Sequence, residues 1–317
     1  LDHRRQRALS RYYLDAGSGG LAVAVHTTQF AVREAGLLEP VLALAAETAA
    51  EWATGPTVLI AGAIGPTPQA VAEAKLARSL GYHAVLLSLA AFRDADDDTM
   101  IAHCEAVAAE MPLIGFYLQR AVGGRKLSAA FWRRFSGIEN AVAIKMAPFN
   151  RYATLDVIRG VVEAGAEGRI TLYTGNDDHI LLDLLTPHRV MREGGPVTVR
   201  IKGGLLGQWS VWVKAAVKML ARAHAVGDTV PAELLTLDAE LTDANGAIFD
   251  VANDFAGCIA GCHEILRRQG LLENLVLLDP DETLGPGQVA ELDRIACAYP
   301  HLTDDAFVAA NLDRWLA

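Results

Sequence analysis

Short apolar runs of strand length alternate along the chain with longer stretches of helical period. Strands are predicted at 21–26 (LAVAVH), 57–63, 84–88, 113–118 (LIGFYL), 141–146 (AVAIKM), 170–175 (ITLYTG) and 198–205 (TVRIKGGL). Helices are predicted at 3–16, 38–53, 67–80, 97–110, 128–136, 152–165, 177–185 and 208–225, punctuated by residues such as Pro66, Pro68, Gly81 and Gly137. Alternation at this spacing means parallel pairing with right-handed crossovers. Eight helices against seven strands suit a (β/α)8 barrel over residues 1–225 whose first strand lies upstream of residue 1 or is missing. An open doubly wound sheet would announce a GxGxxG turn at an early strand-to-helix junction, and none stands there. From 226 the alternation stops, and 226–317 reads as a C-terminal helical extension. The segment 188–200, around Gly194-Gly195-Pro196, reads as a turn or short hairpin.

Composition adds a large core and removes several partners. The 317 residues are 52% hydrophobic and 21% charged, well above a disordered chain. A net charge of −10 is unfavourable for binding a phosphate backbone, so no nucleic-acid partner is expected. No apolar run reaches membrane-spanning length, so no membrane partner is expected either. Four scattered cysteines suit a reducing, cytoplasmic setting rather than a disulfide scaffold. The Arg-rich start has no Met and no apolar centre, and reads as the interior of a longer protein rather than a signal peptide.

In a barrel of this kind the chemistry sits at the C-terminal ends of the strands. Alternation in AVAIKM sets Ala141, Ala143 and Lys145 against the bulkier Val142, Ile144 and Met146, which predicts Lys145 in the barrel interior near its rim. A desolvated amine has a lowered pKa, and a neutral amine attacks a carbonyl to form a Schiff base. The plainer alternative is a lysine that snorkels to the rim or pairs with a carboxylate. The same bulk rule applied to LIGFYL predicts Tyr117 in the interior, able to pass a proton, or else a rim tyrosine bonded to backbone. His26-Thr27-Thr28-Gln29 follows the first strand and offers hydroxyls and amides to a carboxylate, or an ordinary turn. Thr174-Gly175-Asn176-Asp177-Asp178 ends another strand, and serves equally as a helix cap.

These four pieces, HTT at 26–28, FYL at 116–118, AIKM at 143–146 and TGNDD at 174–178, resemble the dihydrodipicolinate synthase and N-acetylneuraminate lyase family, in its order and at roughly its spacing. The resemblance covers about 1–225, with the tail alike in helical character only. It implies a TIM barrel with a C-terminal helical extension and a class I, pyruvate-dependent lyase, an aldolase or dehydratase. On this resemblance Lys145 forms an imine with pyruvate or a larger 2-oxo acid, and no other cofactor or metal is needed. Tyr117 relays protons, Thr27 and Thr28 hold the carboxylate with Thr27 near Tyr117, and Gly175 supplies backbone contacts. Asp177 and Asp178 match positions that hold sugar-acid hydroxyls, and a homotetramer or homodimer is implied. The departures are His26 before the threonines, Gln29-Phe30 after them, and LQRAVGGR after Tyr117, where Arg120 or Arg125 stands in for the family's arginine only by another route. Phe92 lies nearest the place of the neighbouring-subunit tyrosine and cannot relay a proton. These departures count against true dihydrodipicolinate synthesis.

Lys202, sharing a face with Arg200, is a candidate for the anionic end of a substrate, or for an ion pair. Gly203-Gly204 ahead of Gly207-Gln208 admits an alternative function, a barrel enzyme binding a phosphorylated ligand. A second alternative is a barrel that binds a 2-oxo acid or sugar acid without turnover. Cys258-x3-Cys262-His263 lacks further ligands for zinc and reads as buried helical cysteines. The acidic run Asp94 to Asp98 reads as a solvated helix start.

Overall fold

A computed structural model describes residues 1–317 apart from the side chain of Thr28. Helix α1 (His3–Ala16) starts where the Asp2 carboxylate accepts the Arg5 amide, and stops at Gly17, whose φ of 96° suits a residue without Cβ. Strand-helix units follow: β1 (Gly20–Val23), α2 (Leu38–Trp52), β2 (Val58–Ala63), α3 (Thr67–Ser79), β3 (Ala84–Leu87), α4 (Asp97–Ala108), β4 (Leu113–Leu118), α5 (Ala129–Ser136), β5 (Ala141–Ala147), α6 (Arg151–Glu163), β6 (Thr171–Thr174) and α7 (Ile180–Leu185). A hairpin of β7 (His188–Arg192) and β8 (Gly195–Val199) precedes β9 (Gly203–Gly204) and α8 (Val213–His224). The remaining helices are α9 (Ala232–Ile248), α10 (Cys258–Arg268), α11 (Gln288–Ala298) and α12 (Asp305–Leu316).

Seven strands form one parallel sheet in the order β1-β2-β3-β4-β5-β6-β9. Val25 beside β1, Ile60 of β2, Phe116 of β4, Ala143 of β5, Tyr173 of β6 and Leu205 beside β9 belong to a single apolar cluster. The two ends of the strand order also come together, since Gly207 after β9 lies against Thr27 after β1 and Lys214 of α8 donates to the Ala16 carbonyl at the end of α1, which requires the sheet to roll about an axis, as in a β/α barrel. Among the described residues β1 and β9 share no ladder, and no eighth parallel strand stands between them.

The second, larger cluster fills the space between strands and helices, where Trp132, Phe131 and Phe135 are fully buried. It continues without a break into the tail. Trp315 of α12 packs on Tyr12 of α1 with ring centroids 5.4 Å apart, and the Tyr12 hydroxyl donates to Asp304 at 2.8 Å. No helix is long and apolar enough to cross a membrane among the described residues.

One predicted strand divides. TVRIKGGL at 198–205 reads as continuous, but Thr198 and Val199 belong to the antiparallel hairpin and only Gly203 and Gly204 join the barrel wall. Arg200 and Lys202 therefore precede the wall strand.

Candidate active site

Register across β4 and β5 sets the interior of the barrel. Leu113 pairs with Ala141, but Ile114 pairs with Ala143, so the ladder skips Val142 and from there Phe116 is level with Lys145. Ala143, Lys145 and Ala147 face inward, as predicted for Lys145, and Ile144 and Met146 join the helix-side core. Lys145 is 7% exposed. Burial lowers its pKa to about 8, with the charge of Asp177 pulling the other way. Its Nζ lies 4.5 Å from the centroid of the Phe116 ring. Gly175 leaves the room the lysine stem uses: a Cβ there would come within 2.9 Å of Lys145 Cε and 2.8 Å of Ala147 Cβ.

The register reverses the expectation for Tyr117. With Phe116 inward, Tyr117 faces the helix layer, its ring 5.5 Å from that of Trp132. Its hydroxyl accepts the Leu127 amide and donates to the Leu127 carbonyl, both at 3.1 Å. Burial raises its pKa. The phenol is thus spent on anchoring the segment before α5 and is turned away from Lys145. The cause of the misreading is physical: both faces of LIGFYL are buried, so bulk does not distinguish inside from outside.

The 174–178 loop is held from every side. Thr174 Oγ1 donates to Asp183 at 2.7 Å, Asn176 donates to Asp183 at 2.8 Å and to Thr154 at 3.1 Å, and Arg151 pairs with both Asp178 and Asp183. From α9, Asn245 donates to the Asp177 carbonyl at 2.7 Å and Thr242 to the Asp178 carbonyl at 3.1 Å. Asp177 is buried and accepts the amide of Gln208 at 2.8 Å and that of Gly207. Burial pushes its carboxyl up to about 7, against those amides and the charge of Lys145. The chain's own carboxylate thereby occupies the amides considered for a phosphate, and the helix there is a three-residue turn, Gln208–Ser210.

The segment after β1 completes the group. His26 and Thr27 begin a short turn, His26–Thr28, and the side chain of Thr28 lies outside the described residues. Burial, then the charge of Lys145, lowers the His26 pKa to about 4, so its ring is neutral. A Cβ on Gly207 would touch Thr27 Cγ2 at 3.4 Å, which sets Thr27 beside the turn that binds Asp177. A buried pair supports this segment: Arg33 binds Glu73 through Nε at 2.9 Å and Nη2 at 2.8 Å. The structure thus groups Lys145, Gly175, Asp177, His26 and Thr27. Phe116, which the alternation rule set on the wrong face, belongs with them, as does Cys258 of α10, whose thiol burial pushes well up.

Other candidates lie elsewhere. Lys202 is exposed, and its carbonyl meets His224 at the end of α8, on the face of the barrel opposite the strand ends. Arg200 donates to the Leu185 carbonyl. Phe92 stacks on His103 of α4, ring centroids 4.3 Å apart. Arg125 is committed to the carbonyls of Phe92 and Ala95. Asp96 caps α4 by accepting the Thr99 amide, in line with the helix-start reading of the acidic run. A cavity of about 820 Å³ opens over the rim, with Phe149, Phe249 and Phe255 among its walls. Lys145 does not line it; Asp177 belongs to both the cavity and the lysine site. Phe149 and Phe255 meet there edge to face at 5.8 Å, both at positive φ.

A rolled parallel sheet with an inward lysine near the end of a central strand defines a β/α-barrel protein with a buried amine at the C-terminal ends of its strands. The model of the dihydrodipicolinate synthetase family matches residues 1–187, more than half of the chain, and the chain belongs to that family. Among solved structures it is similar to YagE, a prophage protein from E. coli K12 in complex with pyruvate, at 18% identity and a TM-score of 0.76, covering 95% of this chain and 93% of that one. It is similar to dihydrodipicolinate synthase from Acinetobacter baumannii complexed with pyruvate, at 19% identity and 0.73, with 95% and 93% covered. Dihydrodipicolinate synthase from Aquifex aeolicus follows at 17% and 0.70, with 96% and 94% covered. At such identities the likeness establishes the fold, a TIM barrel with C-terminal helices. A sequence search of curated proteins finds no match.

Proposed function

We propose that the protein is a Schiff-base-forming lyase acting on pyruvate or a larger 2-oxo acid. The neutral Lys145 amine adds to the 2-oxo carbon, and the carbinolamine loses water to give a protonated imine. That imine accepts the electron pair released when an adjacent C–C or C–H bond breaks, leaving an enamine. The observation that carries this reading is the Lys145 amine itself, buried at the strand ends with its pKa lowered to about 8 and a carboxylate nearby. Family membership supports the reaction class. Thr27 and the neighbouring amides are proposed to receive the substrate carboxylate. Asp177 serves as counter-charge to the lysine rather than as a free ligand for hydroxyls, whereas Asp178, paired with Arg151, lines the rim cavity where a larger substrate would meet it.

The test is reduction with borohydride after incubation with pyruvate, followed by mapping of the adduct by mass spectrometry. An adduct on Lys145, absent from Lys145→Met, is expected. The absence of an adduct with pyruvate and with a panel of larger 2-oxo acids overturns the proposal. A second reading, an imine-forming barrel without turnover, is favoured by Phe116, which sets a ring without a hydroxyl against Lys145. It predicts an adduct but no exchange of the pyruvate methyl protons with solvent.

A further inference from the structure

Lys145 has two register partners. Phe116 stands level with it on β4, and Tyr173 stands level with it on β6. On β6, Leu172 belongs to the helix-side core and Thr174 donates to Asp183, so the alternate residue Tyr173 faces inward, where it packs with the interior cluster. Adjacent strands lie about 4.8 Å apart, so the phenol and the lysine stem start side by side. Space for the ring comes from β9: a Cβ on Gly203 would sit 3.3 Å from it.

The hydroxyl of Tyr173 is uncommitted. Of the seven tyrosines, Tyr12 bonds to Asp304, Tyr13 to Ser210, Tyr82 to Leu42, Tyr117 to Leu127 and Tyr299 to Asp243. Tyr152 is 83% exposed on the surface. Tyr173 is half-buried, and its hydroxyl has no partner among the described residues. The titratable groups whose charge is coupled to that of Lys145 suit a relay less well. Asp177 is bound to two amides, His26 is held neutral, and the Cys258 thiol is pushed up by burial.

We infer that Tyr173 is the proton relay of the lysine site, a role that rests on the imine reading above. Its hydroxyl gives a proton to the carbinolamine oxygen, the C–O bond breaks, water leaves and the nitrogen lone pair closes the C=N bond. The phenolate so formed then takes a proton from C3. The C3–H electrons form C2=C3, the iminium becomes a neutral enamine nitrogen, and the phenol is restored.

Pyruvate in D2O tests this without knowledge of any second substrate, because methyl-proton exchange, followed by NMR, reports imine-to-enamine conversion alone. The wild type is expected to exchange. Tyr173→Phe keeps the ring against Gly203 and removes no hydrogen bond, so its thermal midpoint and its final yield of borohydride-trapped adduct should match the wild type. Its exchange should be slower by about 100-fold or more, the usual scale of lost general acid-base catalysis. Exchange within twofold of wild type in Tyr173→Phe, or a wild type that forms the adduct without exchange, overturns the relay. No adduct in the wild type instead removes the imine reading on which the relay stands.

Discussion

An amine with a pKa near 8 is mostly protonated at neutral pH, and only its neutral form attacks a ketone. The rate of pyruvate trapping on Lys145, measured with cyanoborohydride under pseudo-first-order conditions, should therefore rise about tenfold per pH unit up to about pH 8 and then level. A profile that climbs steadily to pH 10 would mean an ordinary lysine. Tyr117 makes the opposite kind of prediction. Its hydroxyl satisfies a buried amide and carbonyl of Leu127, so Tyr117→Phe should cost about 1–3 kcal/mol of stability, read as a lower urea midpoint with an unchanged slope. The inward direction of Lys145 is legible in the sequence because small and bulky residues alternate over 143–147, although Ala141 and Val142, before the skip, take the opposite sides. Tyr117 was misread because the skip at Val142, which fixes the phase of β4 against β5, depends on pairing and leaves no local mark. Tyr173 stands on a predicted strand, yet its inward direction and its level beside Lys145 follow only from packing and register.

At the level of elements, strands place Lys145 and Phe116 and loops complete the site, the 174–178 loop being held by bonds from α6, α7 and α9. Gly175 fits between Ala147 and Lys145 with no room for a Cβ, and its amide donates to the Met146 carbonyl. Gly175→Ala should overpack this point by about 1–3 kcal/mol and displace the lysine stem. The expected result is a folded protein whose trapping rate falls at least tenfold, and a wild-type rate would show that the stem has another path. Strand and helix positions were largely readable, from α1 at 3–16 to the strand at 113–118, because hydrophobic period and Pro or Gly punctuation agree there. The run at 198–205 failed because alternation alone does not say which partner a strand chooses. Its first residues pair with 188–192 in a hairpin, which carries Arg200 and Lys202 away from the rim.

At the level of the molecule, the tail and the barrel behave as one core. Asp238 of α9 accepts the amides of Leu181 and Leu182 at 2.8 and 3.1 Å, which caps α7, and Asn245 and Thr242 fix the loop that carries Asp177. At the far end, Asp304 receives the Tyr12 hydroxyl, the Lys214 amide and Gln269, while Trp315, fully buried, covers Tyr12. Each of these buried polar groups costs about 1–3 kcal/mol when left unpaired, and uncovering the Tyr12 ring adds a loss of similar size. Their sum is comparable to the whole stability of a domain, about 5–15 kcal/mol. The division near residue 225 that the change of period suggests should therefore not be a folding boundary. A fragment of residues 1–225 is expected to lack a near-ultraviolet circular dichroism signal, to unfold without a cooperative transition and to yield no pyruvate adduct on Lys145. The full chain should unfold in a single step with coincident fluorescence and far-ultraviolet probes. A cooperative transition in the fragment near the midpoint of the full chain would mean that the contacts of α9 and α12 decorate the barrel rather than hold it.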